Sequence, residues 1–500
     1  MLHIPILRHG KPYQSVETIE IVHHATGEPV ARISQANSGM ISRDVGRMDH
    51  RILERFTVAD LIAASKRAGD LFLTASLPLG DRTQSFDEYI RQLSATTGMP
   101  EVICRGNADK IRRMFAEIDV VLAGLTRGFD LTILDRGYGL NAARTGSAGA
   151  GSQQGMLSYF RQARVFGAVL PSNSPGVHSL WMPAVALKTP IVLKPGREEP
   201  WSPWRIIQSF IAAGLPAEAF GFYPTDHAGA AALLRVVDRA MLFGDASTTK
   251  AWASDPRVEL HGPGYSKVLL DDESAKHWHD HVGVIASSIL ANGGRSCLNA
   301  SAVWTPSFGR EIAEAIGAEL AKVRALPADH AEARVAAFAN PRVAEAISAT
   351  IDQGLREPGA DEVTQRLRGT ARLANLGRCA YLLPTIVYCG PCKGGDTGDS
   401  ESTDGRPWLH PLANREFLFP YASVVECPTV EMTSRIGSTL IASAITRDKR
   451  FIADLMACGD IDRLNIGPIP TWRISWDQPH EGNLFEHLYR QRSFQIEPAA

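Results

Sequence analysis

The chain has 500 residues, 44% hydrophobic and 21% charged, with 52 Lys and Arg against 54 Asp and Glu for a formal net charge of −2. That length exceeds one compact core and predicts two or three domains. Balanced charge gives no reason to expect nucleic acid or an anionic membrane as partner, and no run of about 18 apolar residues is long enough to cross a bilayer.

The opening "MLHIPILRHGKPYQ" holds an apolar run too short for a signal peptide, so no leader is expected. The seven cysteines, an odd count spread over a long chain, predict free thiols and a reducing cytoplasm. After a short extended lead the first part reads as helical. In "ADKIRRMFAEIDVVLAGL", Ile111, Met114, Phe115, Ile118, Leu122 and Leu125 recur at helical spacing, with Asp109 near the start. Residues 128–155 break that pattern and predict a two-stranded excursion with a Gly/Ser/Ala loop.

From about residue 164 strands and helices alternate. "ARVFGAVLP" and "TPIVLKP" predict buried strands. "SPWRIIQSFIAAGLP" predicts a helix with Ile206, Ile207, Phe210 and Ile211 inward, stopping at Gly214 with Pro216 beyond. "AFGFYP", "HAGAAALLRVV" and "RAMLFG" continue as strand, helix and strand. The alternation predicts a parallel sheet covered on both faces, with ligands bound at the C-terminal strand ends. The loops to watch are therefore "PSNSPG", "KPGREEP" and "GDAST". A second alternation starts at "SAVWTP", continues through the helix "GREIAEAIGAELAKV", and returns in "LLPTIVYC", "YASVVECP" and "STLIASAIT". The polar stretch 389–408 reads as an exposed insertion.

Several short motifs invite chemistry. Gly149, Gly151 and Gly155 do not follow a strand, so a flexible loop is the better reading than a phosphate cradle. "CGPC" (Cys389, Cys392) has the spacing of a redox pair but lacks the helix start that lowers a thiol's pKa, and reads as incidental thiols. "HWHDH" sets His277 and His281 four apart around His279, without an evident third ligand; a solvated helix face fits it, and no metal is expected. "NGGRSCLNAS" is different. Gly293 and Gly294 permit close backbone approach, a strand follows, and Arg295 would favour a thiolate at Cys297 if its side chain turned to the sulfur.

These residues resemble the aldehyde dehydrogenase superfamily over nearly the whole chain. "NGGRSC" is similar to Asn-x-Gly-Gln-x-Cys, "VELHGPG" to Glu-Leu-Gly-Gly, "LPSNSPG" to Pro-Trp-Asn-x-Pro, "IVLKPGREEP" to the cofactor-ribose segment, and "NREFLFPYASV" to Glu-x-Phe-Gly-Pro. "LLPTIVY" and "ASAITRDKRFIADL" match two further segments, all in the family's order. The resemblance implies Cys297 as nucleophile, Glu259 as general base and Asn173 as oxyanion donor. It places Pro171, Ser172, Lys194, Arg197, Gly244, Asp245, Ser247, Glu416 and the apolar residue at position 418, here Leu418, along an NAD or NADP cofactor. Members preferring NAD commonly carry Glu three residues after the motif lysine. Here that position is Arg197, which implies that NADP is accepted at least as well.

The implied fold is α/β: two parallel-sheet domains plus a small oligomerisation β element. A cofactor domain would take residues 1–128 and 151–262, a catalytic domain 263–475, and the oligomerisation element 129–150 with 476–500, where Tyr489, Phe494 and Ile496 alternate with polar residues. A small aldehyde substrate and a homodimer or homotetramer follow from the resemblance. The departures are specific. Arg295 replaces Gln, Ser172 and Phe419 replace Trp and Gly, Phe-Thr-Gly-Ser becomes "FGDAST", and base and nucleophile lie 297 − 259 = 38 residues apart, a few more than usual. Text after Glu259 and the Gly244-Asp245 pair resemble the fatty acyl-CoA reductase branch, in which the thioester passes to coenzyme A. A non-catalytic protein keeping the fold is the remaining alternative, against which the intact set of site residues stands.

Overall fold

The computed structural model describes residues 1–140, 156–392 and 409–495. The expectations on Gly149 to Gly155, on residues 393–408 and on Ile496 lie outside them. In place of a short extended lead, five brief strands precede the first helix: Leu2–Ile4, Ile6–Arg8, Lys11–Tyr13, Thr18–Val22 and Pro29–Ser34. Helices Val58–Thr74 and Phe86–Thr97 begin at capping boxes, Thr57 with Asp60 and Ser85 with Glu88, each satisfying exposed N–H groups reciprocally. The predicted helix through residues 108–125 is two, Glu101–Ala116 and Ile118–Leu125, broken at Glu117 (φ −98°, ψ 18°). All six residues of its predicted apolar stripe are nonetheless buried.

Five parallel strands make most of the first sheet, in spatial order Val258–His261, Arg239–Phe243, Phe166–Val169, Ile191–Lys194 and Phe220–Phe222. The antiparallel hairpin Ile6–Arg8/Lys11–Tyr13 completes one edge. Every residue of Phe166–Val169 is buried, as a parallel strand covered on both faces requires. Helix Trp201–Ala212 contributes Trp201, Trp204, Ile206, Ile207 and Phe210 to that cover. The earliest of the five parallel strands lies at their centre, and the chain then winds to either side of it. That reversal opens a crevice at the C-terminal end of Phe166–Val169, where ligands bind in sheets of this kind. Val169 is level with both Lys194 and Leu242, and Phe243 with His261, so the loops after all four strands emerge side by side.

The second sheet runs Asp361–Glu362, Thr385–Pro391, Tyr421–Glu426, Ala302–Thr305, Lys267–Leu270, Thr439–Ile445, Ile461–Ile466, parallel except for its two-residue first strand. Helices Val282–Leu290 and Gly309–Leu320 pack on it through Ile285, Ile289, Ile312 and Ile316. A third, antiparallel sheet joins Tyr138–Leu140, Met156–Arg161 and Tyr489–Arg492. Phe494 continues past it with its ring 4.9 Å from that of Tyr138. Met156–Arg161 joins this small sheet and not the first one.

Candidate active site

Cys297 lies in a loop just ahead of the strand Ala302–Thr305, facing the C-terminal edge of the first sheet. It opens on a cavity of about 240 Å³ whose walls include Pro171, Asn173, Phe243, Gly244, Glu416 and His480. Three left-handed residues in a row shape the loop: Asn292 (φ 53°), Gly293 (φ 63°) and Gly294 (φ 69°). Such backbone is cheap for glycine and tolerable for asparagine. At Gly294 space is decisive as well, because a Cβ would fall 2.2 Å from the Pro420 nitrogen and 2.3 Å from the Phe419 carbonyl carbon. The glycine thus lets the Cys297 loop and the Glu416 segment touch backbone to backbone. Asn292 pays for its conformation with two contacts, accepting from Asn107 Nδ2 at 2.6 Å and donating to Ser174 Oγ at 3.1 Å. Asn173 Nδ2 donates to the Arg295 carbonyl at 2.9 Å. That tie fixes the amide beside the Cys297 loop and leaves its second N–H for a ligand.

Burial pushes the Cys297 thiol up to about 12, with Glu481 and Glu416 adding to the rise and Lys110 opposing it. Arg295 does not help. Its guanidinium turns from the sulfur, donates to the carbonyls of Thr97 (3.2 Å) and Ala337 (2.8 Å), and lies 5.0 Å from the Phe338 ring centroid. The expectation that Arg295 favours the thiolate is corrected: two carbonyls and an aromatic face hold the cation in the protein interior. Cations that do act on the thiol are Lys110, on helix Glu101–Ala116, and Arg463, neither of which any motif marked.

Glu259 and His261 point to the same side of strand Val258–His261, as residues two apart must. Glu259 Oε1 lies 3.1 Å from His261 Nε2, and His261 Nδ1 pairs with Glu481. Held between two carboxylates, His261 is raised to about 9 despite burial. His480, with Nδ1 3.5 Å from Glu481 Oε2, is instead lowered by burial and stays neutral near pH 7. His261 and His480 line the Cys297 cavity, whereas Glu259 lines an adjoining one with Glu481 and Gly482. His480 and Glu481 lie on the segment after the last strand of the second sheet, which carried no recognisable signal.

At the crevice of the first sheet, Lys194 ends its strand half-buried and forms no ion pair among the described residues. Burial lowers its pKa, against Glu198 and Asp226. Arg197 is exposed and Glu199 is buried, accepting from Ser202 N at 2.8 Å and pairing with His178 Nε2 at 2.9 Å. Ser172 Oγ accepts from Glu198 N at 3.2 Å. Asp245 caps the short helix Ala246–Lys250, accepting from Thr248 N at 2.8 Å and from Ser247 Oγ at 2.7 Å. Glu416 accepts from Tyr265 N at 2.7 Å, and burial raises it to about 7. Leu418 is exposed on the cavity rim.

The profile of the Aldehyde dehydrogenase family matches residues 12–389. The chain belongs to that family. Its fold is shared by solved structures across nearly all of both chains. The NAD-dependent aldehyde dehydrogenase of Sinorhizobium meliloti superposes with a TM-score of 0.74 at 16% identity, covering 100% of this chain and 96% of that one. A salicylaldehyde dehydrogenase of Pseudomonas putida G7 gives 0.73 at 12%, covering 100% and 99%. An NADP dependent enzyme of E. coli gives 0.74 at 14%, covering 98% and 97%. No curated protein matches the sequence itself.

The remaining sequence motifs are placed in the fold. All seven cysteines are free. Cys389 is buried in strand Thr385–Pro391, and Cys392 hydrogen-bonds across to Cys427, not back to Cys389. His277 contacts Glu273 at 3.2 Å and His279 stacks on Trp278, and no metal-holding group occurs among the described residues. No helix among them is long and apolar enough to cross a membrane.

Proposed function

We propose that this dehydrogenase oxidises an aldehyde to the carboxylic acid through a thioester on Cys297, with NAD or NADP as hydride acceptor. The observation that carries the reading is Cys297 on a cavity wall with the Asn173 amide tied beside its loop. A thiolate there adds to the aldehyde carbon. The resulting oxyanion meets the Cys297 backbone N–H and the second Asn173 N–H, donors typically worth about 3 kcal/mol each. A bound nicotinamide supplies the acceptor for the hydride leaving that carbon. The residues fit such a cofactor, since Lys194 is a desolvated cation at the crevice without an ion pair among the described residues, where a ribose or phosphate oxygen would satisfy it. Arg197 favours NADP, because a guanidinium in the usual place of a carboxylate attracts a 2′-phosphate. With Glu199 committed to His178 and Ser202, it is Glu198 of the two motif glutamates that is left to restore an NAD-type contact.

Thioester hydrolysis needs a base. Glu259, the carboxylate of the resembling motif, lines the adjoining cavity and touches His261, which lines that of Cys297. His480 already stands on the wall, neutral, with the Glu481 carboxylate positioned to steady the imidazolium it would become. We therefore read His480 as the group that takes the proton from water, with Glu259 acting through His261. Transfer to coenzyme A is the second reading; His480 on the cavity wall, backed by Glu481, favours hydrolysis. A cytoplasmic homo-oligomer fits the free thiols and the strand Tyr489–Arg492, whose outer edge is unpaired among the described residues. Cys297→Ala is expected to abolish reduced-cofactor formation in an absorbance screen over aldehydes while retaining cofactor binding by calorimetry. Turnover surviving in that variant would overturn the proposal.

A further inference from the structure

The cavity of Cys297 joins a larger one of about 630 Å³. Lys110, Ser174, Ser296 and Leu298 line both and form the neck between them. Beyond the neck the wall carries Trp472, Trp476 and Ile474 together with Arg113 and Arg473. Asp109 is the acidic side chain on that wall, and it is engaged by Arg112 at 3.1 Å and Arg113 at 2.8 Å. The wide cavity is therefore apolar in body and positive in charge.

Lys110 holds the decisive position. Its ammonium packs near Gly176, where a Cβ would come within 3.5 Å of Nζ. It makes no hydrogen bond or ion pair among the described residues. The charged neighbours that act on it are the Cys297 thiol and Arg463, a second cation whose guanidinium donates to the Pro479 carbonyl at 3.1 Å and forms no ion pair among the described residues. Desolvation lowers Lys110 to about 8, so it remains largely charged at neutral pH. A half-buried ammonium with no anion costs free energy unless something supplied from outside completes it. Arg473, exposed and without a side-chain partner among the described residues, extends the positive lining outward.

Resting on the reading of Cys297 as an aldehyde-oxidising nucleophile, we propose that the substrate is an aldehyde bearing an anionic group, a carboxylate or phosphate, which Lys110 receives at the neck while the carbonyl lies at Cys297. The ammonium selects by charge, and the connecting carbons lie between Cys297 and the neck, against Leu298.

Two measurements test this on the whole protein. In the first, Cys297 is alkylated with iodoacetate or with iodoacetamide. The thiolate displaces iodide in both reactions, and the labelled peptide is quantified by mass spectrometry. The iodoacetate-to-iodoacetamide rate ratio, divided by that of glutathione, is expected to be about tenfold above one in the wild type. It should collapse in Lys110→Met and persist in Lys110→Arg. In the second, kcat/KM is compared within matched pairs: straight-chain aldehydes ending in carboxylate or in methyl, and glyceraldehyde with or without a 3-phosphate. The charged member is expected to win by about tenfold or more, with Lys110→Met reducing that ratio. The carboxylate and phosphate pairs say which anion fits. A normalised alkylation ratio of one that Lys110→Met leaves unchanged, with equal kcat/KM inside each pair, would overturn the inference while leaving aldehyde oxidation intact. If alkylation is charge-selective but no aldehyde is oxidised, the anion site stands and the dehydrogenase reading fails.

Discussion

Replacing Arg295 by Gln, the residue of the resembling motif, separates two roles that the sequence alone merges. The guanidinium is buried, donates to the carbonyls of Thr97 and Ala337, and lies over Phe338. A shorter, neutral amide cannot span both carbonyls. Leaving a buried carbonyl unpaired costs about 1–3 kcal/mol, and the lost cation–π contact about 0.5–2 kcal/mol. Some of this is recovered because Arg295 is itself costly to bury, as its lowering to about 10 indicates. A net loss of roughly 2–4 kcal/mol follows, and at about 2 °C per kcal/mol the melting temperature should fall by roughly 4–8 °C. Because unfolding of a chain with two sheets need not be two-state, the comparison is best made on Tm and on the urea midpoint together. Alkylation of Cys297 by iodoacetamide should keep its pH profile in folded Arg295→Gln, since the charge faces away from the sulfur. An unchanged Tm with a thiol profile displaced to higher pH would refute this reasoning and return Arg295 to the thiolate.

Two further outcomes bear on the proposed chemistry. His480→Gln is expected to give one burst of reduced cofactor and then stall, while Glu259→Gln should slow steady-state turnover without abolishing it. A complete stall in Glu259→Gln with normal turnover in His480→Gln would make Glu259 the direct base. Arg197→Glu should shift the NADP-to-NAD affinity ratio towards NAD by about 1–3 kcal/mol in calorimetric titrations. An unchanged ratio would make the residue a bystander.

The parallel sheets were legible because their strands leave a plain mark. Stretches such as "VFGAVLP", "IVLKP" and "AMLFG" are apolar on both faces and end at Gly or Pro, and each matches an observed strand. The first strands left no such mark. Lys11–Tyr13 is exposed at all three residues, so no alternation marked it, and its pairing with Ile6–Arg8 is held by backbone bonds that any sequence can make. The helix break at Glu117 was equally silent, because glutamate is a good helix former and the turn costs no buried contact.

Within the site, what the backbone demands could be read and what the side chains reach could not. Three left-handed residues and a carbonyl within van der Waals range leave little choice but Asn-Gly-Gly before Cys297. Cations carry no comparable signature. Arg295, Lys110 and Arg197 are all basic residues within or beside recognisable segments, yet their surroundings divide them. Arg295 finds two carbonyls and a ring and is consumed in holding the loop. Arg197 is left in water at the rim of the crevice. Lys110 is taken partly out of water and meets no acceptor among the described residues. A buried charge already paired has nothing left to offer a ligand, and an exposed one is screened by solvent. Of the three, the desolvated and unpaired cation gains most when an anion arrives, and that asymmetry gives Lys110, the one that no motif marked, the strongest claim on the substrate.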